Sequence, residues 1–253
     1  MSEIAIRDEL VKQGRSLFEA KRKQRVELAG DPDADALVDA LGTHPHAFVL
    51  ACLMDRQIRY KKAWLIPYKI SQRMKERDFG EFSIEDLSKL SREQVNELMS
   101  KPEPLHRFPD KMGGVFCSAV HRIKDGYVSD ASRIWTDEPS SAEAVYRFLQ
   151  FDGAGQKIAT MAVNILAREF KIKFADFYSV DISADVQVCR VFARLGLCPS
   201  DEPMQVVYKA RSLYPEFPGM MDSPCWEIGE YWCRPHNPRC NDCCMKDLCP
   251  KRV

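Results

Sequence analysis

The sequence lacks several features that would assign it to a special class of protein. Lys plus Arg and Asp plus Glu each number 37 among 253 residues, so any attraction to nucleic acid must come from local charge asymmetry. No apolar run approaches the roughly 18 residues that a membrane helix needs, and the N-terminus has no apolar signal segment. We therefore expect no membrane association and a cytoplasmic, nucleoid-associated location, or a nuclear one in a eukaryote.

Alternating apolar runs joined by hairpin turns are also missing, as are internal repeats and low-complexity segments. Apolar residues recur instead at helical spacing, as Ile6, Leu10 and Leu17 do, and this predicts an all-α protein. A chain of this length folds without cross-links, as one large domain or two modest ones. Helices are predicted over residues 4–25, 31–42, 46–54, 60–77, 84–89, 92–100, 108–124, 140–150, 156–169, 184–195 and 202–213.

Positive charge is concentrated in one part of the chain. Residues 56–75 hold seven Lys or Arg and no acidic residue, with aromatic residues between them. A solvated helix face explains such a run, and a surface that contacts phosphates is the alternative. The run becomes informative only if other features point to nucleic acid.

Five of the ten cysteines lie in CRPHNPRCNDCCMKDLC, residues 233–249. In a reducing compartment such a group is a metal site more often than a disulfide framework. Six, two and five residues separate Cys233, Cys240, Cys243 and Cys249, and thiolates suit either an iron–sulfur cluster or zinc. Because zinc fingers usually present two tight pairs with a long spacer, the spacing favours iron–sulfur; zinc bound by Cys233 and His236 is the alternative.

The stretch FLQFDGAGQKIATMAV, residues 148–163, contains a tight turn formed by Gly153, Ala154 and Gly155. The apolar spacing after it predicts a helix directly following the turn. Glycines permit positive φ and close approach of a backbone to a partner, and amides at a helix N-terminus suit phosphate. Taken alone, an ordinary helix–turn–helix connection explains the motif equally simply.

Together these segments resemble the endonuclease III family of the helix-hairpin-helix DNA glycosylase superfamily. The cysteine stretch resembles the C-terminal [4Fe-4S] loop of that family, and the glycine turn is similar to the hairpin that grips the DNA backbone. The resemblance implies that Cys244 is spare and that the cluster ligands are Cys233, Cys240, Cys243 and Cys249. It also implies a two-lobed fold, with a helical barrel lobe at 40–168 and an iron–sulfur lobe made from 1–39 and 169–253.

Lys157 stands two residues after the second glycine, where bifunctional members of the family carry the lysine that attacks the sugar. A nucleophilic lysine needs its pKa lowered from about 10.4 toward 7–8. The helix dipole supplies only about 0.3–1 kcal/mol of this shift, so desolvation must contribute. A solvent-exposed lysine with no catalytic role is the alternative.

The segment ADVQVCRVFARLG, residues 184–196, resembles the catalytic segment of the family, in which an aspartate precedes an Arg-Val-x-x-Arg helix. The match selects Asp185 and not the nearby Asp181. Capping of the helix is the ordinary role of an aspartate at this position. Val186 and Gln187 replace the Thr-His common in the family, and the aspartate stands 28 positions after the lysine, a longer interval than in a compact member, so the identity of the excised base stays open.

A looser resemblance covers LACLMDRQ, residues 50–57, which is similar to the segment whose glutamine fills the gap left by a flipped nucleotide. A surface glutamine at a helix end is the alternative. The residues that the resemblance places on DNA are Gln57, Arg56, Arg59, Gly153, Ala154, Gly155, Gln156, Arg234, Arg239 and Lys246.

The sequence therefore predicts a monomeric DNA glycosylase with abasic-site lyase activity, acting on double-stranded DNA that contains a damaged or modified base, foremost an oxidised pyrimidine. Lys157 would form the Schiff base, and Asp185 would stabilise the sugar cation and move protons. Two alternatives remain open: a monofunctional glycosylase for a mismatched, alkylated or otherwise modified base, and a non-enzymatic iron–sulfur DNA-binding protein.

Overall fold

The computed structural model describes residues 2–250, and all regular secondary structure in this range is helical, which confirms the predicted all-α class. Short 3₁₀ turns lie at Ala131–Ile134, Pro218–Met221 and Cys240–Asp242. In residues 2–250 no helix is both long enough and apolar enough to cross a membrane. The α-helices are α1 (Glu3–Glu19), α2 (Pro32–Asp39), α3 (Pro45–Met54), α4 (Tyr60–Glu76), α5 (Ile84–Leu87), α6 (Arg92–Ser100), α7 (Pro109–Gly126), α8 (Ser141–Leu149), α9 (Gln156–Arg168), α10 (Val186–Leu195), α11 (Pro203–Leu213) and α12 (Asp222–Tyr231).

The chain forms two compact units, each discontinuous in sequence. The central unit contains residues 22–138 and 146–158, and the terminal unit contains residues 1–21, 139–145 and 159–253. The first residues of α9 therefore belong to the central unit and the remainder of the helix to the terminal unit.

The core of the central unit is organised around α3, in which every residue is buried. A helix that is apolar on all sides must be enclosed by other elements, and α2, α4, α7 and the turn at 131–134 pack against it. Phe48 of α3 contacts two buried indoles, with ring centroids 5.6 Å from Trp64 and 6.0 Å from Trp135. The packing fixes the position of both ends of α3.

The terminal unit is built from α1, α10, α11 and α12, joined by the turn at 218–221. Gly14 of α1 lies so close to this turn that an added Cβ would be 2.0 Å from the carbonyl oxygen of Met220. The ring of Phe217 stacks on Phe177 with centroids 4.5 Å apart and meets Phe18 at 4.9 Å. The segment after α9, which is long for the family, is thus part of the core of this unit.

Two helix predictions differ from the structure. The first helix ends at Glu19 and not at residue 25, because residues 20–25 (AKRKQR) carry no large apolar side chain whose burial would stabilise further turns. The helix α12 was not predicted, because Pro224 and Gly229 interrupt a short pattern that is typical of a connection. Proline is tolerated there because it lies in the first turn.

His46 is a buried titratable group of α3, with 5% of its surface exposed. Its Nε2 lies 3.0 Å from the carbonyl oxygen of Phe82. Burial lowers the pKa of His46 to about 4, and the nearby His44 adds to this, while the Phe82 carbonyl opposes it. The folded protein therefore keeps the imidazole neutral at pH values where an unfolded histidine is protonated.

Acid should destabilise the protein through His46. Between pH 6.5 and 4 only the unfolded chain binds this proton, so the free energy of unfolding should fall by about 3 kcal/mol as pH is lowered across that window. Urea unfolding at pH 7, 5.5 and 4.5 measures the loss. In His46→Gln, which does not titrate, the loss should be smaller by that amount; equal losses in both proteins would contradict the assignment.

Candidate active site and cysteine site

The turn between α8 and α9 is shaped by its first glycine. Gly153 has φ 84°, in the left-handed region, and a Cβ there would lie 3.0 Å from Val115 Cγ1 and 3.3 Å from Arg56 Nη1. Gly155 has no positive φ, and a Cβ there would meet nothing within 4 Å. Backbone conformation and packing therefore require a glycine at position 153. At position 155 there is space for a side chain.

Side chains of α7 hold the turn. Ser118 donates a hydrogen bond of 2.6 Å to Asp152, the residue that stands where the family usually has proline, and Arg122 donates to Gln150. Within the turn, the amide of Ala154 donates to the carbonyl of Phe151 at 3.0 Å. The conformation of the hairpin is thus determined by contacts to α7 as well as by its own sequence.

Lys157 is the second residue of α9, and its ammonium group forms an ion pair with a residue that sequence reasoning did not select. Lys157 Nζ donates to Asp55 Oδ2 at 2.9 Å. The side chain of Lys157 is 36% exposed and that of Asp55 is 10% exposed. The lysine thus sits at the surface of the unit with its charged end directed at a buried carboxylate.

The turn after α3 lies beside the hairpin. Asp55 ends α3, and the guanidinium of Arg56 approaches Gly153. Gln57 is exposed and has φ 56°, which is unusual for a residue with a side chain, and Arg59 is exposed immediately before α4. Tertiary packing therefore brings the segment 50–57 and the hairpin together.

Asp185 lies in the terminal unit and caps α10. Its Oδ1 accepts hydrogen bonds from the amides of Gln187 at 2.8 Å and Val188 at 2.9 Å. Asp181 has a different partner: it is buried and accepts two bonds of 2.7 Å from Arg211. The capping role of Asp185 is present, and its second carboxylate oxygen accepts neither of these two bonds.

The loop before Asp185 is braced by the segment that precedes α12. Asp222 Oδ1 accepts the amide of Ser183 at 2.6 Å, and the amide of Gly219 donates to the carbonyl of Val180 at 2.7 Å. Burial raises the pKa of Asp222 to about 6, while the Ser183 amide acts in the opposite direction. These contacts fix the backbone that leads into Asp185.

The four predicted cluster cysteines line one cavity in the terminal unit. Its remaining walls come from α10, the end of α12 and the cysteine loop: Val191, Arg194, Leu195, Ile228, Trp232, Met245 and Lys246. Cys243 is buried and lines this cavity, whereas Cys244 is exposed and is not among the lining residues. The two adjacent thiols contact each other, and of the two it is Cys243 that lines the cavity.

Two arginines of α10 bind the cysteine loop. Arg190 donates from Nε to the carbonyl of Cys233 at 2.8 Å. Arg194 donates to the carbonyl of Arg234 at 2.7 Å and lies 3.7 Å from Cys233 Sγ. In the sequence, these arginines served only to align the catalytic segment with the family pattern. In the structure, they attach the cysteine loop to α10, the helix that Asp185 caps.

Comparison with known proteins gives one consistent relationship. The chain is 25% identical to endonuclease III of Thermotoga maritima over 191 residues, 73% of this chain and 80% of that protein. It is 30% identical to endonuclease III of Treponema pallidum over 149 residues, 53% of this chain and 63% of that protein. The chain is endonuclease III-like. No family model matches it.

Solved structures of low sequence identity share the fold of this endonuclease III-like protein. A trapped covalent endonuclease III–DNA intermediate, the estranged-adenine complex, has a TM-score of 0.65 at 16% identity, covering 99% of this chain and 97% of that one. A thermostable thymine-DNA glycosylase has a TM-score of 0.62 at 13% identity, covering 97% and 95%. The predicted helix-hairpin-helix glycosylase fold is therefore confirmed.

Asp55 and Ser118 are the residues near the predicted site that sequence reasoning missed. A signal for Asp55 was present, because it is a single acid between an entirely apolar helix and the basic run 56–75. For Ser118 there was none, since its contact with Asp152 joins residues 34 apart in the chain.

The two hairpin glycines of this endonuclease III-like protein should respond differently to alanine. Gly153→Ala should lower the free energy of unfolding by about 1–2 kcal/mol, because alanine is strained at φ 84° and its Cβ would press on Val115. Gly155→Ala is the matched control and should be neutral or stabilising by up to about 1 kcal/mol. Urea unfolding of the two variants measures both effects, and equal destabilisation would contradict the assignment.

Proposed function

We propose that this protein is a base-excision DNA glycosylase with abasic-site lyase activity, in which Lys157 is the nucleophile and Asp185 the proton-handling carboxylate. Its endonuclease III relatives support a glycosylase and lyase of this type. The observation that supports Lys157 most directly is its placement on the first turn of the hairpin helix, with Nζ 2.9 Å from a buried carboxylate. A lysine held in this way is positioned, unlike an ordinary surface lysine.

The chemistry follows from what these side chains can do. The target nucleotide must leave the duplex, which costs a few kcal/mol and is easier for a damaged or mismatched base. The neutral amine of Lys157 attacks C1′, and the base leaves with the electron pair of the C1′–N bond. The attached nitrogen then loses a proton, the C1′–O4′ bond opens as O4′ takes up a proton, and the resulting Schiff base permits β-elimination. Asp185 stabilises the positive sugar and moves protons.

Double-stranded DNA with a damaged or modified base is the proposed partner. Gln57 is proposed to fill the gap left by the flipped nucleotide, and its exposure and left-handed backbone at the end of the α3 turn suit a protruding side chain. The hairpin residues 153–156 and the arginines 56 and 59 are proposed to hold phosphates on the central unit. On the terminal unit the proposed contacts are Arg234, Arg239 and Lys246, all exposed, of which Arg239 pairs with Asp242 at 2.8 Å.

An oxidised pyrimidine is the base class proposed first. The two residues after Asp185 differ from the Thr-His pair that is common in the family. Val186 is 80% exposed, and Gln187 donates to Glu230 at 2.6 Å. An apolar side chain beside the catalytic carboxylate favours contact with a base face or a methyl group. We also propose two lobes, a helical barrel lobe at 40–168 and an iron–sulfur lobe formed by 1–39 with 169–253. The proposed protein is a monomer and is located in the cytoplasm.

A [4Fe-4S] cluster is the proposed cofactor, held by Cys233, Cys240, Cys243 and Cys249. The residues fit it, because the four thiols share one cavity whose other walls are mainly apolar. In residues 2–250 no three His, Cys, Asp or Glu side chains are grouped as ligands of a single metal ion. When bound, the cluster would cross-link the loop, while the residues of the chain perform the reaction.

Sodium borohydride trapping tests the lyase assignment. The wild-type protein should form a covalent adduct with an oligonucleotide that carries one abasic site, and Lys157→Ala should form none, because it lacks the amine that makes the Schiff base. Asp185→Asn should slow base release by about 10²–10⁴-fold. The measurements are gel-shifted adduct and base release from a panel of oxidised, deaminated, alkylated and mismatched duplexes.

The outcomes of that panel separate the proposed function from its two alternatives. Base release by the wild type without any adduct would make the protein monofunctional. Absence of release on every substrate, with DNA binding retained, would make it a binding protein. Unchanged release in both variants would show that the two catalytic assignments are wrong.

The two adjacent cysteines provide the sharpest test of the cofactor. Cys243→Ser should lose the brown colour and most of the iron, because it removes a thiol that lines the cavity. Cys244→Ser should keep both, since Cys244 is exposed outside the cavity. Visible absorption and iron analysis of protein purified without oxygen give the result; loss of iron in Cys244→Ser alone would reverse the ligand assignment.

A further inference from the structure

The Asp55–Lys157 pair is a contact to the proposed nucleophile that no local sequence pattern predicts. Asp55 has 8% of its surface exposed. A carboxylate removed from water to this degree is costly unless a cation or several hydrogen bonds compensate it. Lys157 Nζ supplies a charge-assisted bond at 2.9 Å. The burial of Asp55 and the placement of Nζ therefore depend on each other.

The backbone around Asp55 leaves its carboxylate little freedom. The residue follows the fully buried helix α3, and its own amide donates to the carbonyl of Cys52 at 3.1 Å. The next amide, that of Arg56, donates to the carbonyl of Met54 at 2.8 Å. The carboxylate is thus carried by a tight turn on a rigid element, which is the support that a positioned functional group needs.

The charged and titratable groups around the pair come from each adjoining element. From α3, Cys52 is fully buried; burial raises the pKa of its thiol, Asp55 adds to this and Lys157 opposes it. From the turn there is Arg56, and from the hairpin Asp152, which is bonded to Ser118. From the segment before α7 there is His106; burial lowers its pKa, and Lys62 and Arg56 contribute in the same direction. Among these neighbours, Asp55 is the carboxylate that touches Nζ.

Attack on a sugar requires an amine that is held in one place. The contact with Asp55 places Nζ of Lys157 beside the hairpin turn.

We propose that Asp55 is the positioning residue for Lys157: its carboxylate fixes Nζ at one place beside the hairpin. This inference rests on the proposed function, because it assigns Lys157 as the nucleophile. Asp55 acts through Lys157 and not on the DNA.

The test is borohydride trapping on a single abasic site, with the maximal rate and the KM for the DNA measured separately. Asp55→Asn should lower the maximal rate about tenfold with little change in KM, because the amide lacks the charge-assisted bond that places Nζ. Asp55→Glu is the matched control: its carboxylate can still contact Nζ, so it should recover part of the lost rate. An unchanged maximal rate in Asp55→Asn, or equal losses in the two variants, would overturn the proposal.

A second measurement does not depend on the lyase activity. Acetylation of the DNA-free protein with acetic anhydride at one fixed pH, with the peptide containing Lys157 quantified by mass spectrometry, measures how firmly Nζ is held. Asp55→Asn, or Asp55→Ser if the asparagine variant does not fold, should be acetylated several-fold faster than the wild type, because no carboxylate holds Nζ. Identical rates would overturn the role of Asp55, whereas faster acetylation with no wild-type adduct on DNA would overturn only the proposed function.

Discussion

All ten residues of α3 are buried, so this helix cannot move without opening the core of the central unit. The enclosure is energetically strong, because Phe48 alone is packed against two indoles and its loss would cost about 3–5 kcal/mol. The turn that leaves the C-terminal end of the helix is held in place by the same packing. Asp55, Arg56 and Gln57 occupy this turn, and an apolar helix thereby becomes the support for three polar residues beside the hairpin.

Three buried aspartates near the proposed catalytic residues are compensated in three different ways. Asp55 contacts a lysine, Asp181 forms two bonds with an arginine, and Asp222 accepts a backbone amide. Because an uncompensated buried carboxylate is so costly, each partner also restricts the backbone that carries it. The need to compensate a buried carboxylate therefore also orders the loops next to Lys157 and Asp185.

The helix α10 connects the two functional features of the terminal unit. Its first turn is capped by Asp185, and farther along it Arg190 and Arg194 bind carbonyl groups of the cysteine loop. If the cysteine loop were disordered, the guanidinium groups of Arg190 and Arg194 would lose these carbonyl acceptors. The proposed cluster would therefore have a structural role: it would keep the loop ordered, and the ordered loop would keep α10 in place.

The sequence by itself determined the helical class, most helix positions and the hairpin with Lys157, because these depend on local periodicity and on spacing along the chain. Its preference for Cys243 over Cys244 as a cluster ligand stays a prediction. It did not reveal the end of α1 or the existence of α12, where burial outweighs local pattern. Only the tertiary structure decided that Asp55 meets Lys157, since the two lie 102 positions apart in the chain. Contacts of that range arise from packing, and no local pattern encodes them.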